Sequence, residues 1–279
     1  MWHRTVPLAA LMAAMAAAQP APPVKFEVAS IKAAEPGREM ALPHFDPGGN
    51  FSVSGMPLRF VIAAAWNVGF QSTRLVGGPD WVGSRASAYD IEAKAPEGAF
   101  PPGMASNVRT ARMRQMLQAL LEDRFHLKIR TERRDLPLYM VVVAKGGPKL
   151  EKSDIEEQNC PQLADSGKRC HQISGGRGRG LHGTAVSLAD VLGYVENWTD
   201  RPLVDGTGLT GLFKIDTRGW RDMQPAQEPA PGTKAEDGQD AADVPTLFQL
   251  FDRLGLKLIP QKGEVSIYTI EQVERPTGN

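Results

Sequence analysis

Six consecutive residues, Gly175-Gly176-Arg177-Gly178-Arg179-Gly180, form the pattern in this chain best suited to holding an anion. Backbone N–H groups of a Gly-rich turn can cradle negative charge while two guanidinium groups neutralise it. Gly175, Gly176, Arg177, Gly178 and Arg179 are therefore the candidate anion or ligand loop. The competing reading is a flexible linker with solubilising arginines. Just upstream lie the two cysteines, Cys160 and Cys170. A local disulfide between them is the expectation. A metal site with His171 and His182 is the rival, but a His abutting one of two Cys ten residues apart does not match a compact zinc spacing. No metal and no cofactor is expected.

Signatures of exported enzymes are missing. The chain has no Gly-x-Ser-x-Gly elbow, His-Glu-x-x-His, Cys-x-x-Cys or phosphate-binding loop. Its histidines are His3, His44, His126, His171 and His182, and none pairs four residues from another. Asp80, Asp90 and Glu92 offer carboxylates for paired acid–base work, yet spacing singles out none of them. No catalytic residue is assigned. Gly77-Gly78-Pro79-Asp80-Trp81 and Asp205-Gly206-Thr207-Gly208 read as structural turns.

The N-terminus reads as an export signal over residues 1–18. His3 and Arg4 precede a stretch rich in Ala, Leu and Met, and Ala16-Ala17-Ala18 offers a small-residue cleavage site. The apolar run is shorter than the ~20 residues a bilayer span needs, and no later run is long enough. The expected product has no membrane span and is periplasmic or secreted, where a disulfide persists. The 279-residue chain balances 32 basic against 32 acidic residues, which removes nucleic acid as a partner.

The elements that must position these groups are stated twice. Residues 58–146 and residues 188–273 run in one order: apolar helix, Leu-Val-x-Gly turn, strand, loop, second helix, closing strands. Leu75-Val76-Gly77-Gly78 is echoed by Leu203-Val204-Asp205-Gly206, and Leu127-Lys128-Ile129 by Leu256-Lys257-Leu258. Helical stripes fall at Leu58, Val61, Ile62 and Ala65, and at Met113, Met116, Leu117, Leu120 and Leu121. They recur at Leu188, Val191, Leu192 and Val195, with Ser187 and Asp190 as a capping box, and at Leu247, Leu250, Phe251 and Leu254. Residues 126–132 and 138–144 read as a hairpin bent at Arg133-Arg134-Asp135; residues 256–260 and 265–270 read as another. The expected fold is α+β: a tandem duplication of a small β-α-β-β-α-β-β module, helices packed on mixed sheets. Residues 24–150 form the first repeat, 151–183 a Gly-rich connector and 184–279 the second, with a disordered loop over 222–243.

Each half resembles the short N-terminal domain of secretins and TonB-dependent receptors. The likeness rests on the helix, the Leu-Val-x-Gly turn and the ending Gly255-Leu256-Lys257-Leu258, Gly263 and Ile267-Tyr268-Thr269-Ile270. It implies a periplasmic protein-binding and signalling role. Across nearly the whole mature length the chain also resembles a family of exported, acidobacterial-type proteins of unknown function. Phe26-Glu27-Val28-Ala29-Ser30-Ile31-Lys32, Gly77-Gly78-Pro79-Asp80-Trp81, Tyr89-Asp90-Ile91-Glu92-Ala93-Lys94-Ala95-Pro96 and Arg201-Pro202-Leu203-Val204-Asp205 carry that resemblance. Trp66 stands where Tyr is usual, and Lys214 where an Asp is usual.

The function expected is a non-enzymatic extracytoplasmic module that binds another envelope protein. The alternative is a secreted hydrolase or carbohydrate-active protein with its site between the two halves.

Overall fold

A computed structural model describes residues 25–46, 48–101, 104, 106–160, 170–221 and 244–276. The expected signal segment and the loop over 222–243 lie outside the described residues. In chain order the elements are β1 (Val28–Ala33), β2 (Ala41–Phe45), β3 (Phe51–Pro57), α1 (Leu58–Ala65), β4 (Leu75–Gly77), β5 (Ala88–Lys94), α2 (Ser106–Phe125) and β6 (Lys128–Val143). There follow β7 (Glu151–Lys152), β8 (Ser174–Gly176), β9 (Gly180–Val186), α3 (Leu188–Val195), β10 (Leu203–Asp205), β11 (Phe213–Asp216), α4 (Leu247–Arg253) and β12 (Leu256–Gln272). The class is α+β, as the periodicities predict.

The short helices could not persist alone, since isolated helices below about 12 residues are marginal in water. Caps and burial hold them. Ser187 and Asp190 form the expected capping box on α3. Thr246 and Gln249 make the same arrangement on α4, which the sequence reading missed. The stripe of α1 is buried at Leu58, Val61, Ile62 and Ala65, and that of α2 at Met113, Met116, Leu117, Leu120 and Leu121.

Three four-stranded sheets carry the architecture, ordered β1-β5-β3-β2, β10-β6-β12-β4 and β7-β11-β9-β8. The central one is built on β6 and β12, which run antiparallel along almost their whole length, from Leu256 opposite Val143 to Gln272 opposite Lys128. At its margins, β4 pairs parallel with β12 (Leu75 opposite Tyr268), and β10 pairs parallel with β6 (Leu203 opposite Tyr139). A strand from the first half thus completes its ladder on the closing strand of the second, and the reverse.

This corrects both expected hairpins. Arg133-Arg134-Asp135 does not bend the chain; it lies mid-strand, opposite Ser266, Val265 and Glu264. The segment carries no Gly or Asn to supply turn geometry. Its polar side chains sit in water on the ribbon and meet opposite charge across it: Arg133 pairs with Glu264 at 3.1 Å and Arg130 with Glu271 at 2.6 Å. The module therefore has one closing strand rather than two, and the two-strand ending behind the secretin-like resemblance is a single strand here. The expected connector over 151–183 holds strands as well: β8 pairs with the start of β9, Ser174 opposite His182 and Gly176 opposite Gly180.

Among the described residues, the two largest buried clusters follow from this layout. One joins Ile31, Phe51 and Ile91 of the first outer sheet to α1, α2 and to Leu75, Leu127 and Ile270. The other joins Leu181, Val186 and Ile215 of the second outer sheet to α3, α4 and to Tyr139, Val141, Leu256 and Leu258. Helices lie between an outer sheet and one end of the central sheet in both. Among the described residues no helix is long and apolar enough to cross a membrane.

Candidate functional site

The outer face of the sheet β1-β5-β3-β2 is assembled by register. Ser30 stands opposite Glu92, Glu92 opposite Ser52, and Ser52 opposite His44. One polar row thus crosses all four strands, while the alternate residues Ile31, Phe51, Ile91 and Ala93 enter the core. The row floors a concavity of about 440 Å³, bordered by Val28, Asp46, Asn50 and Lys94. A turn fixes one rim: the Asn50 N–H donates to Asp46 Oδ1 at 2.9 Å, its side-chain amide donates to Asp46 Oδ2 at 2.7 Å, and its own Oδ1 accepts from the Ala95 N–H at 3.0 Å. Asn50 and Lys94 also border a neighbouring hollow that continues toward Phe100.

The carboxylates weighed in the sequence do not converge. Asp90 accepts from the Gly55 N–H at 2.7 Å and the Ser54 hydroxyl at 2.9 Å, and so secures the irregularity where β3 shifts register between Val53 and Met56. Burial opposes its charge, but these donors together with Arg38 and Lys32 outweigh it and hold its pKa below the usual value. Asp80 begins a separate 3-10 turn. Only Glu92 belongs to the polar row.

The candidate anion loop is a tight hairpin turn. The Arg179 N–H donates to the Gly176 carbonyl at 3.0 Å, and its guanidinium to the Gly175 carbonyl at 3.3 Å. Tyr194 donates to that same Gly175 carbonyl at 3.1 Å, and Gly176 packs against the Trp198 indole. The Arg177 carbonyl accepts from the Trp220 N–H. Close packing thus explains Gly175, Gly176 and Gly180.

Cys160 and Cys170 form a disulfide with Cα atoms 5.7 Å apart. Beside it, His171 adopts a left-handed backbone (φ 58°). Its Nδ1 lies 2.6 Å from Asp190 Oδ2 and its Nε2 3.0 Å from Glu157 Oε1. His182 is elsewhere, against Asp216 at 2.9 Å. The sequence reading missed Glu157 and Asp190 as His partners; Asp190 was legible only as a cap.

Burial opposes the charge on His171, but Asp190 and Glu157 outweigh it, so its pKa is raised. Burial opposes that of Asp190 too, and His171 with Ser187 more than offsets it, so its pKa is lowered. The His171 contribution is complete below the unfolded value of about 6.5 and is lost as pH rises through the raised folded value. The Asp190 contribution is present above about 3.9 and is lost as pH falls through the lowered one. Urea unfolding should therefore show a higher midpoint at about pH 6 than at about pH 9, with the difference reduced in His171→Gln. An equal drop in that variant would contradict the assignment.

No curated protein and no solved structure matches the chain. A family match does exist; it runs from α1 to just past β12 and leaves β1, β2 and β3 outside it. Over residues 59–273 the chain belongs to the family described as a protein of unknown function (DUF3738).

Proposed function

We propose that this protein is an exported, non-enzymatic module that binds another envelope protein through the outer face and edges of the sheet β1-β5-β3-β2. The observation that carries the reading is exposed apolar surface on both edge strands: Val28 on β1 and Leu42 on β2 are each 61% exposed. An edge strand offers unpaired N–H and C=O groups to a partner strand, and side chains such as these supply the specificity of strand addition. The polar row between the edges adds hydrogen-bonding groups. Export draws support from the leader and from the disulfide, which persists in oxidising compartments.

The matching orders of the two outer sheets support a tandem duplication. So does the reciprocal pairing of β4 and β10, with Asp135 opposite Glu264 at the midpoint of the exchange. On this reading the first outer sheet is the copy used for recognition, because its edge strands β1 and β2 are longer than their counterparts β7 and β8.

A hydrolase would draw on the same concavity, with Ser52, His44 and Glu92 in it. A nucleophile relay needs the imidazole between hydroxyl and carboxylate. Here Ser52 stands between Glu92 and His44 in the register, which favours binding over hydrolysis.

The test is capture by tagged protein cross-linked in its own envelope, beside Val28→Asp and Leu42→Asp baits. One saturable protein partner, reduced at least tenfold by either substitution in a folded bait, is expected. A partner retained equally by both variants, or none with folded wild-type bait, would overturn the reading.

A further inference from the structure

We propose that the Cys160–Cys170 region is a redox-gated zinc site, closed as a disulfide and metal-binding when reduced. One ligand atom from each of Glu157, Cys160 and His171 lies within 4.8 Å of the other two. Cys170 is bonded to Cys160, so reduction frees a second thiol next to the first. A tetrahedral zinc with ligands at about 2.0–2.3 Å needs its donor atoms roughly 3–4 Å apart. His171 Nε2 and Glu157 Oε1 already stand at 3.0 Å, and opening the disulfide frees the two sulfurs to move apart from bonding distance.

A second observation comes from the far side of the ring. His171 Nδ1 is held by Asp190 at 2.6 Å, and Asp190 is itself fixed by the Ser187 N–H at 2.8 Å and the Ser187 hydroxyl at 2.6 Å. A carboxylate on one imidazole nitrogen fixes the tautomer, orients the ring and leaves the other nitrogen for a metal. His171, next to Cys170 and left-handed in its backbone, has its ring against that carboxylate and Glu157. His171 thus has its outer partner at Nδ1, the Glu157 carboxylate at Nε2 and the Cys160 sulfur close by.

The redox step balances with a dithiol reductant. Thiol–disulfide exchange converts the Cys160–Cys170 bond to two thiols, and the reductant leaves as its own disulfide. Zinc then displaces both thiol protons and the proton on His171 Nε2, which pass to solvent. Disulfide and metal exclude each other because one pair of sulfurs serves both.

Cobalt(II), a spectroscopic stand-in for zinc, tests this on the full mature chain. Anaerobically reduced protein should bind one equivalent with a thiolate-to-cobalt charge-transfer band that zinc abolishes. Oxidised protein should show no band. His171→Asn and Glu157→Gln should weaken zinc binding, read against a chromogenic chelator, by at least tenfold. Asp190→Asn should weaken it by about 10–100-fold, the usual cost of losing an outer partner. Circular dichroism follows the fold in parallel. A folded reduced chain with no band would overturn the proposal. So would equal affinity in the His171 and Glu157 variants, or a reduced chain that unfolds and is not restored by zinc.

Discussion

Glu196→Ala should destabilise the protein by about 3–5 kcal/mol, because it strands a partly buried guanidinium. Glu196 is 3% exposed, and its carboxylate is fully engaged. Oε1 accepts from Arg74 Nε at 2.8 Å and the Ser72 hydroxyl at 2.5 Å; Oε2 accepts from Arg74 Nη2 at 2.9 Å and the Leu203 N–H at 3.3 Å. Ser72 and Arg74 belong to the α1–β4 connection, whereas Glu196 and Leu203 bracket the α3–β10 connection. The pair therefore clasps equivalent segments of the two halves where each sends a strand into the central sheet. Neighbouring Asn197 adds a contact, accepting from the Gln71 N–H at 3.3 Å. Replacing both charges together, as Arg74→Met with Glu196→Leu, should cost less than the single substitution, since no buried charge is orphaned. Urea unfolding of the three variants decides it. A single-variant loss below about 1 kcal/mol would mean the clasp is solvated and idle.

Gly180→Ala should cost about 3 kcal/mol or more, for two separate reasons. The residue has φ 84°, where a Cβ costs roughly 1–2 kcal/mol. That Cβ would also stand 1.9 Å from the Thr217 carbonyl oxygen, so β9 and the segment after β11 would have to part. Their link runs through the Leu181 N–H, which donates to Thr217 Oγ1 at 2.9 Å. Gly208 is the control: its φ is 68°, but a Cβ there meets nothing within 4 Å. Gly208→Ala should lose only the conformational part, about 1–2 kcal/mol. Thermal unfolding of both variants separates packing from backbone preference, and equal losses would contradict the close approach at Gly180.

Local patterns were legible wherever neighbours in sequence are neighbours in space. The stripes of α1 and α2, the Ser187–Asp190 box and the Cys160–Cys170 bridge are of this kind. Long-range pairing was not. Leu75 opposite Tyr268 and Leu203 opposite Tyr139 leave no local mark, so a strand exchanged between halves looks the same as one kept at home. Arg133-Arg134-Asp135 imitated a bend because charge and Asp are common in turns, yet it has no Gly or Asn and its pairing partner lies far away in sequence. The row Ser30, Glu92, Ser52 and His44 depends on three registers, two of them interrupted by irregularities, and no spacing rule yields it. Glu196 was equally hidden: a Glu just past a helix reads as solvated until Arg74 is placed beside it.

Photo-cross-linking in living cells tests most directly that recognition belongs to the first outer sheet. A photoreactive residue at position 28 or 42 should give one discrete protein adduct. The same residue at position 259, where Ile259 is 43% exposed on the central sheet, should give none. Adducts from position 259 as strong as those from 28 and 42, or silence at both edge positions in a folded protein, would contradict the account.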